Sequence, residues 1–301
     1  ASIPVGYERS MEMYSLDFEE YLWAVGRTPS AIQALRGFFE RKEKVDAGIH
    51  EHFMTLLREY LVVGGMPEVV NTLLKTNNYQ EVHATQKKIM ESYREDIKHY
   101  ATAASRQKIG ECYLSIPRQL AKEYTKFQYK IVGKEGNDRR YENCLNWLVD
   151  AGMIKLCVNV STPQFPLVAY EKPDQFKAYV TDIGLLASLY GYDTQAALLK
   201  DTLTGPAKGG IYENLVFDML TKRGLGLNYF KNDKNTQEIE FLLVRDGAVI
   251  PIEVKSKRGA TVSLNHFMEE FAPPYAYKLV AGNVGVSDAK ITLPLYMAMF
   301  L

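Results

Sequence analysis

Along the chain, the period at which hydrophobic and polar positions repeat changes twice. From residue 16 to 100 apolar residues recur at helical spacing, punctuated by start and stop signals. Asp17 can cap a helix over Phe18 to Val25, Pro29 or Ser30 opens one through Arg41, and His50 to Val63 follows before Gly64-Gly65 interrupts the pattern. Met66-Pro67-Glu68 restarts it toward Leu74, and a long helix is predicted from Tyr79 to Tyr100. Residues 108 to 170 read differently: short helices near Ile109 to Ser115 and Pro117 to Tyr124, a polar turn around Gly133 to Gly136, then a third helix from Asp138 to Ala151. Gly152 can close that helix in the left-handed conformation. Two β-like runs follow, Ile154 to Val160 and Leu167 to Tyr170, so three helices and a ribbon predict a winged helix.

From Gly205 the pattern is mixed. A helix is predicted at Gly210 to Arg223, strands at Leu227 to Phe230, Tyr277 to Ala281 and Ile291 to Leu293, a helix at Ser263 to Phe271, and an apolar helix from Pro294 to Leu301. Such alternation argues an α/β layer structure. Within it, Glu238-Ile-Glu-Phe-Leu-Leu-Val244 and Val249-Ile-Pro-Ile-Glu-Val-Lys255 flank Asp246-Gly247. Asp-Gly between alternating runs is the strongest local signal for a two-residue hairpin, because a type I′ turn needs positive φ at both central residues. In that register Glu240 lies opposite Glu253 and Glu238 opposite Lys255. Period-two alternation then puts Glu238, Glu240, Glu253 and Lys255 on one face, with Ile239, Phe241, Leu243, Ile250, Ile252 and Val254 on the other.

Opposed carboxylates destabilise a sheet unless a proton or a cation lies between them. A hard divalent ion such as Mg2+ takes one or two carboxylates plus substrate phosphates, and a neighbouring lysine can orient water or offset charge developing on a phosphate. The other reading is an antiparallel pair with one wet face, where Glu238 and Lys255 form an ion pair of little value.

Composition narrows the choice only slightly. With 36 basic and 36 acidic side chains and 47% apolar residues, the chain has the make-up of a soluble globular protein and no global field directed at a polyanion. Residues 108–160 carry nine basic against six acidic residues, a mild local excess. If the third helix of the winged-helix module enters a major groove, Arg139, Arg140 and Asn143 are the residues placed to touch nucleic acid; the alternative is a packing or regulatory module. Cys112, Cys144 and Cys157 show no paired spacing, which argues against a disulfide framework or thiolate zinc site and for a reducing cytoplasm. No run suits a membrane span or a secretory signal. The five histidines are dispersed and read as packed or surface residues. The opening at Ala1, with an apparent strand at Ser2 to Val5, reads as a piece of a longer protein, and no phosphate-cradling Gly-x-x-x-x-Gly-Lys-Ser/Thr loop occurs.

The order Glu213 on a helix, Glu240 on one strand and Glu253-Val254-Lys255 on the next resembles the PD-(D/E)XK, or restriction-endonuclease-like, superfamily. The resemblance implies Glu240 and Glu253 as metal ligands, Lys255 as catalytic lysine and Glu213 as a supporting carboxylate. The first strand carboxylate is usually Asp in that superfamily, so Glu240 moves the ligand oxygens outward by one methylene. Glu238 is the substitute if the turn has another length. A second resemblance spans nearly the whole chain: Tyr14-Ser-Leu-Asp-Phe-Glu-Glu-Tyr-Leu22, Gly64-Gly-Met-Pro-Glu68, Tyr93-Arg-Glu-Asp-Ile97, Phe176-Lys-Ala-Tyr-Val-Thr-Asp-Ile-Gly-Leu-Leu186 and Tyr212-Glu-Asn214 look like prokaryotic AAA-family ATPases with a C-terminal domain of unknown function. It implies three units: the end of the ATPase core and helical lid (1–107), a winged-helix module with linker helix (108–204) and a restriction-endonuclease-like α/β domain (205–301). It further implies ATP bound only by an N-terminal domain outside this chain, that domain and nucleic acid as partners, an oligomer, and no membrane.

Overall fold

The computed structural model describes residues 11–122, 126–133, 138–232, 237–256 and 261–301. The predicted strand at Ser2 to Val5, the end of the Pro117 to Tyr124 helix, most of the Gly133 to Gly136 turn and the side chains of Arg139 and Arg140 lie outside the described residues.

The helical first part follows its punctuation. Helix α1 (Phe18–Ala24) starts at a capping box in which Asp17 accepts from Glu20 N–H while Glu20 accepts from Asp17 N–H, an arrangement worth about 1 kcal/mol. Then come α2 (Pro29–Arg41), α3 (Ala47–Val63), α4 (Pro67–Thr76) and α5 (Tyr79–Tyr100). The next elements are α6 (Arg106–Leu120), α7 (Tyr129–Val132), α8 (Asp138–Asp150), β1 (Ile154–Val160) and β2 (Glu171–Val180). They correct the sequence on two points. The two short helices before residue 124 are one, because α6 carries Pro117 inside it. Leu167–Tyr170 is a 3-10 turn rather than a strand, and β1 pairs with the longer β2 through Ile154↔Val180.

The remainder is α9 (Ile183–Leu189), α10 (Tyr192–Leu199), α11 (Pro206–Lys222), β3 (Asn228–Lys231), β4 (Glu238–Arg245), β5 (Ala248–Lys255), α12 (Val262–Phe271), β6 (Ala276–Val280), β7 (Gly285–Ser287), β8 (Lys290–Pro294) and a closing 3-10 segment, Leu295–Phe300. All the described strands form one sheet, ordered β2-β1-β3-β4-β5-β6-β8-β7. The ribbon expected as a free wing is therefore an end of the main sheet, joined to it by parallel pairing of β1 with β3. A large apolar core runs from Phe18 to Leu301 and includes α11. A smaller one under α12 holds Phe230, Ile239, Leu242, Leu264 and Phe267.

Several of the residue blocks that carry the ATPase resemblance meet at one junction. The buried Asp182 accepts from Ser15 Oγ (2.9 Å), Gly65 N–H (2.8 Å) and Leu185 N–H (3.0 Å), and Leu16 N–H donates to Gly65 O at 2.8 Å. Asn214 clamps β2 by bonding both the N–H and the carbonyl of Val180 at 2.9 Å. Gly184 approaches so closely that a Cβ there would sit 2.3 Å from Val63 O and 2.5 Å from Gly64 N. Backbone has no rotamer with which to yield, so Gly184→Ala is expected to lower stability by about 1–3 kcal/mol in urea unfolding. Gly110→Ala, where an added Cβ meets nothing within 4 Å, should be neutral or gain up to about 1 kcal/mol. Equal midpoints for the two variants would contradict the close-approach argument.

Candidate active site where two strands part

The hairpin forms as the Asp-Gly signal predicts. Asp246 and Gly247 have φ of 52° and 75°, and the ladder runs from Arg245↔Ala248 to Phe241↔Ile252. There it stops. On its other side β4 pairs with β3 through Asn228↔Leu242 and Phe230↔Ile239, so Glu240 and Phe241 together oppose the single Tyr229. This is a β-bulge, and it shifts the alternation by one. Ile239 and Leu242 both enter the small core under α12, while Phe241 and Leu243 enter the large one.

The bulge corrects the four-residue charged face expected from strict alternation. Glu253 lies between Ile252 and Val254, both in the large core, and so leaves by the opposite face, in the electrostatic reach of Lys278 and Lys290. Glu240 sits at the fork, where its Oε2 accepts from Val254 N–H at 3.4 Å, beyond the last backbone pair. The two acids meet through Lys255, whose Nζ is 3.1 Å from Glu240 Oε1 and 3.5 Å from Glu253 Oε1. Glu238 is not opposite Lys255. Its carboxylate binds Lys177 Nζ at 2.7 Å and Lys231 Nζ at 3.1 Å.

Lys177, on β2, is the residue the sequence reading missed. It is fully buried, 2.7 Å from Glu213 Oε1 as well as from Glu238, and its ammonium lies 4.8 Å from the centre of the Tyr229 ring. Tyr179 O–H donates to the same Glu213 oxygen. Its one sequence signal was a lone charge in the apolar run Phe176-Lys-Ala-Tyr-Val180, where an unpaired ammonium could not be buried. The predicted supporting carboxylate Glu213 is thus fixed by Lys177 and Tyr179. The charged row is Lys231, Glu238, Lys177 and Glu213 on one side, then Glu240, Lys255 and Glu253.

Protonation separates the two ends of this row. Burial opposes the charge of Glu238, yet Lys177 and Lys231 hold its carboxyl below the ordinary value. Burial pushes Glu240 up to about 7, with Lys255 only partly offsetting it and Glu213 adding to the rise. Burial likewise raises Glu253. Burial alone would lower Lys255, but Glu240 and Glu253 reverse the sign and raise it.

The donor set suits a hard divalent ion that keeps most of its waters. Among the described residues no three His, Cys, Asp or Glu side chains are grouped to hold a metal; the donors at the fork are the two predicted ligands, Glu240 and Glu253, and magnesium sites commonly take one or two carboxylates. Glu253 Oε2 is buried with no hydrogen-bond partner among the described residues, and burial makes Glu240 resist ionisation. The predicted nucleic-acid residues lie elsewhere. Arg139, Arg140 and Asn143 fall on α8, and Asn143 is exposed while Tyr141, Cys144, Leu145 and Leu148 pack inward. The three cysteines are buried and form no disulfide among the described residues, and no helix of the described residues is long and apolar enough to cross a membrane.

Residues 54–196 match the model of a domain of unknown function, DUF8612, and residues 208–297 match that of another, DUF4143. No curated protein and no solved structure matches the chain. Glu213, Glu240, Glu253 and Lys255 all fall in the DUF4143 segment, whereas Lys177, which holds Glu213, falls in the DUF8612 segment.

Proposed function

We propose that the DUF4143 segment is a divalent-metal-dependent, nuclease-like domain acting on DNA or RNA, in the C-terminal part of an AAA-family ATPase whose own N-terminal domain binds ATP. The observation that carries this reading is the Glu240–Lys255–Glu253 constellation at the point where β4 and β5 part, with a carboxylate oxygen of Glu253 left without a partner. Glu240 and Glu253 hold Mg2+, which when bound polarises a phosphodiester and lowers the pKa of water. Lys255 orients the attacking water or the phosphate. Glu213, gripped by Lys177 and Tyr179, supports the metal side, and α8 presents Arg139, Arg140 and Asn143 to the nucleic acid.

Purified chain should then cleave some member of a panel of single-stranded, duplex and branched DNA and RNA with Mg2+ or Mn2+ and not with EDTA. Lys255→Ala and Glu253→Ala should each reduce the rate on the order of 100-fold or more, with the variants still folded by circular dichroism at the assay temperature. Undiminished cleavage by both variants would reject the assignment.

One observation favours a second reading, in which the same segments form an inactive platform for docking nucleic acid or protein to the ATPase: the Lys255 ammonium already lies between the two carboxylates. A platform binds without divalent dependence and cleaves nothing. The slope of affinity against salt then separates phosphate contact from protein docking, since each neutralised phosphate steepens it.

A further inference from the structure

Away from the charged row, α5, α6, the end of α9 and the start of α10 line a cavity of about 280 Å³. Its walls are amphipathic. Met90, Ile97, Leu114, Met153 and Leu189 supply an apolar floor, and the rings of Tyr93 and Tyr113, edge to face at 6.5 Å, supply aromatic surface. Lys87 and Arg94, seven residues apart on α5, stand at the rim, exposed and with no ion pair to a carboxylate among the described residues. His83, also lining it, is bonded to Ser188 Oγ at 3.2 Å, and burial lowers its pKa.

The exposed cations at the rim call for an anion, and one further observation points to an absent ligand: Gly110, inside α6. A glycine within a helix costs about 1 kcal/mol relative to alanine and is usually explained by close packing, as at Gly184. At Gly110 an added Cβ would meet nothing within 4 Å. The glycine leaves space on the cavity wall.

We propose that this cavity is a binding site for a small anionic aromatic molecule. A ring body of one or two rings lies on the apolar floor between Tyr93 and Tyr113. A phosphate, sulfonate or carboxylate head is met by Lys87 and Arg94. At about 280 Å³ the cavity lies at the small end of ligand pockets, which admits a ring system and excludes a dinucleotide. The site faces different helices from the Glu240–Lys255 fork and does not depend on nuclease activity.

The test is calorimetric titration of the chain with 1-naphthyl phosphate, 1-naphthalenesulfonate and 1-naphthoate, against neutral 1-naphthalenemethanol and inorganic phosphate. At least one anionic naphthyl compound should bind ten-fold or more tightly than both controls. The Lys87→Gln/Arg94→Gln double variant should lose that ten-fold preference while retaining the neutral compound's affinity. Gly110→Met fills the cavity from a helical position that tolerates side chains, so it should abolish binding without lowering the melting temperature. Absence of binding by all three anions, equal affinity for the neutral compound, or full binding by Gly110→Met each overturns the proposal.

Discussion

Lys177→Met is expected to lower folding stability by about 3–5 kcal/mol. The lysine is fully buried and its single ammonium bridges Glu213 and Glu238 at 2.7 Å each. Methionine keeps the length and apolar volume of the side chain, so packing is nearly conserved and the loss is electrostatic. Among the described residues what remains is Lys231 for the two acids, with the Tyr179 hydroxyl left on Glu213. Removing one partner of a buried pair is far worse than removing the whole set, because it strands charge in a medium that solvates it poorly. The triple variant Lys177→Met/Glu213→Gln/Glu238→Gln should therefore recover most of the loss. Burial alone would depress the lysine, but the two acids reverse that and hold it well above its ordinary value; the contribution is fully present at neutral pH and fades only in strong alkali. Urea unfolding of the three proteins is the measurement. A loss under about 1 kcal/mol for the single variant, or no recovery in the triple one, would show that the row does not depend on this ammonium.

Raising the pH from about 5 to about 8 is expected to destabilise the protein, and Glu240→Gln should remove a defined part of that fall. A carboxyl whose pKa rises from 4.5 to about 7 on folding binds its proton more tightly in the folded state. Its stabilising effect is therefore complete below pH 4.5 and is lost as pH climbs through about 7, by up to about 3 kcal/mol. Asp218, pushed up to about 7 by burial against the partial offset of Lys222, acts in the same sense, so the wild-type slope exceeds the Glu240 share. The difference between wild type and Glu240→Gln isolates it. On the proposed function, in which Glu240 holds Mg2+, the metal competes with that proton. Added Mg2+ should raise the unfolding midpoint at pH 8 more than at pH 5 in wild type, by linkage to the native state, and should do so in neither condition for Glu240→Gln. Parallel pH curves for the two proteins would refute the buried, proton-holding carboxyl at the fork.

How much was legible in the sequence depends on whether a signal is local. Asp17, Pro29, Pro67 and Tyr79 mark helix starts set by chain-local signals, side-chain caps at α1, α2 and α5 and a proline in the first turn of α2 and α4, and all four helices begin where those residues predict. Asp246-Gly247 needs positive φ whatever surrounds it, and the register of the hairpin follows. The bulge at Glu240 was not legible, because it comes from accommodating β3 on one side and β5 on the other, a relation between strands far apart in the chain. The same holds for Lys177, whose partners lie 36 and 61 residues away on other elements. Alternation alone thus placed the right acids near one another and the wrong pair in contact. The winged-helix expectation erred for a related reason: a ribbon looks the same in sequence whether its outer edge is bare or paired, and here β1 finds β3.

That parallel seam between β1 and β3 ties the two halves of the polypeptide into one inheritance. A recombination event that traded everything after residue 204 for another lineage's segment would have to bring a strand that zips onto Val158 to Val160 in the same direction, together with an acid at position 213 able to receive Lys177. Shuffling at this linker is therefore closed to all but near relatives, and the two segments should be found travelling as a pair.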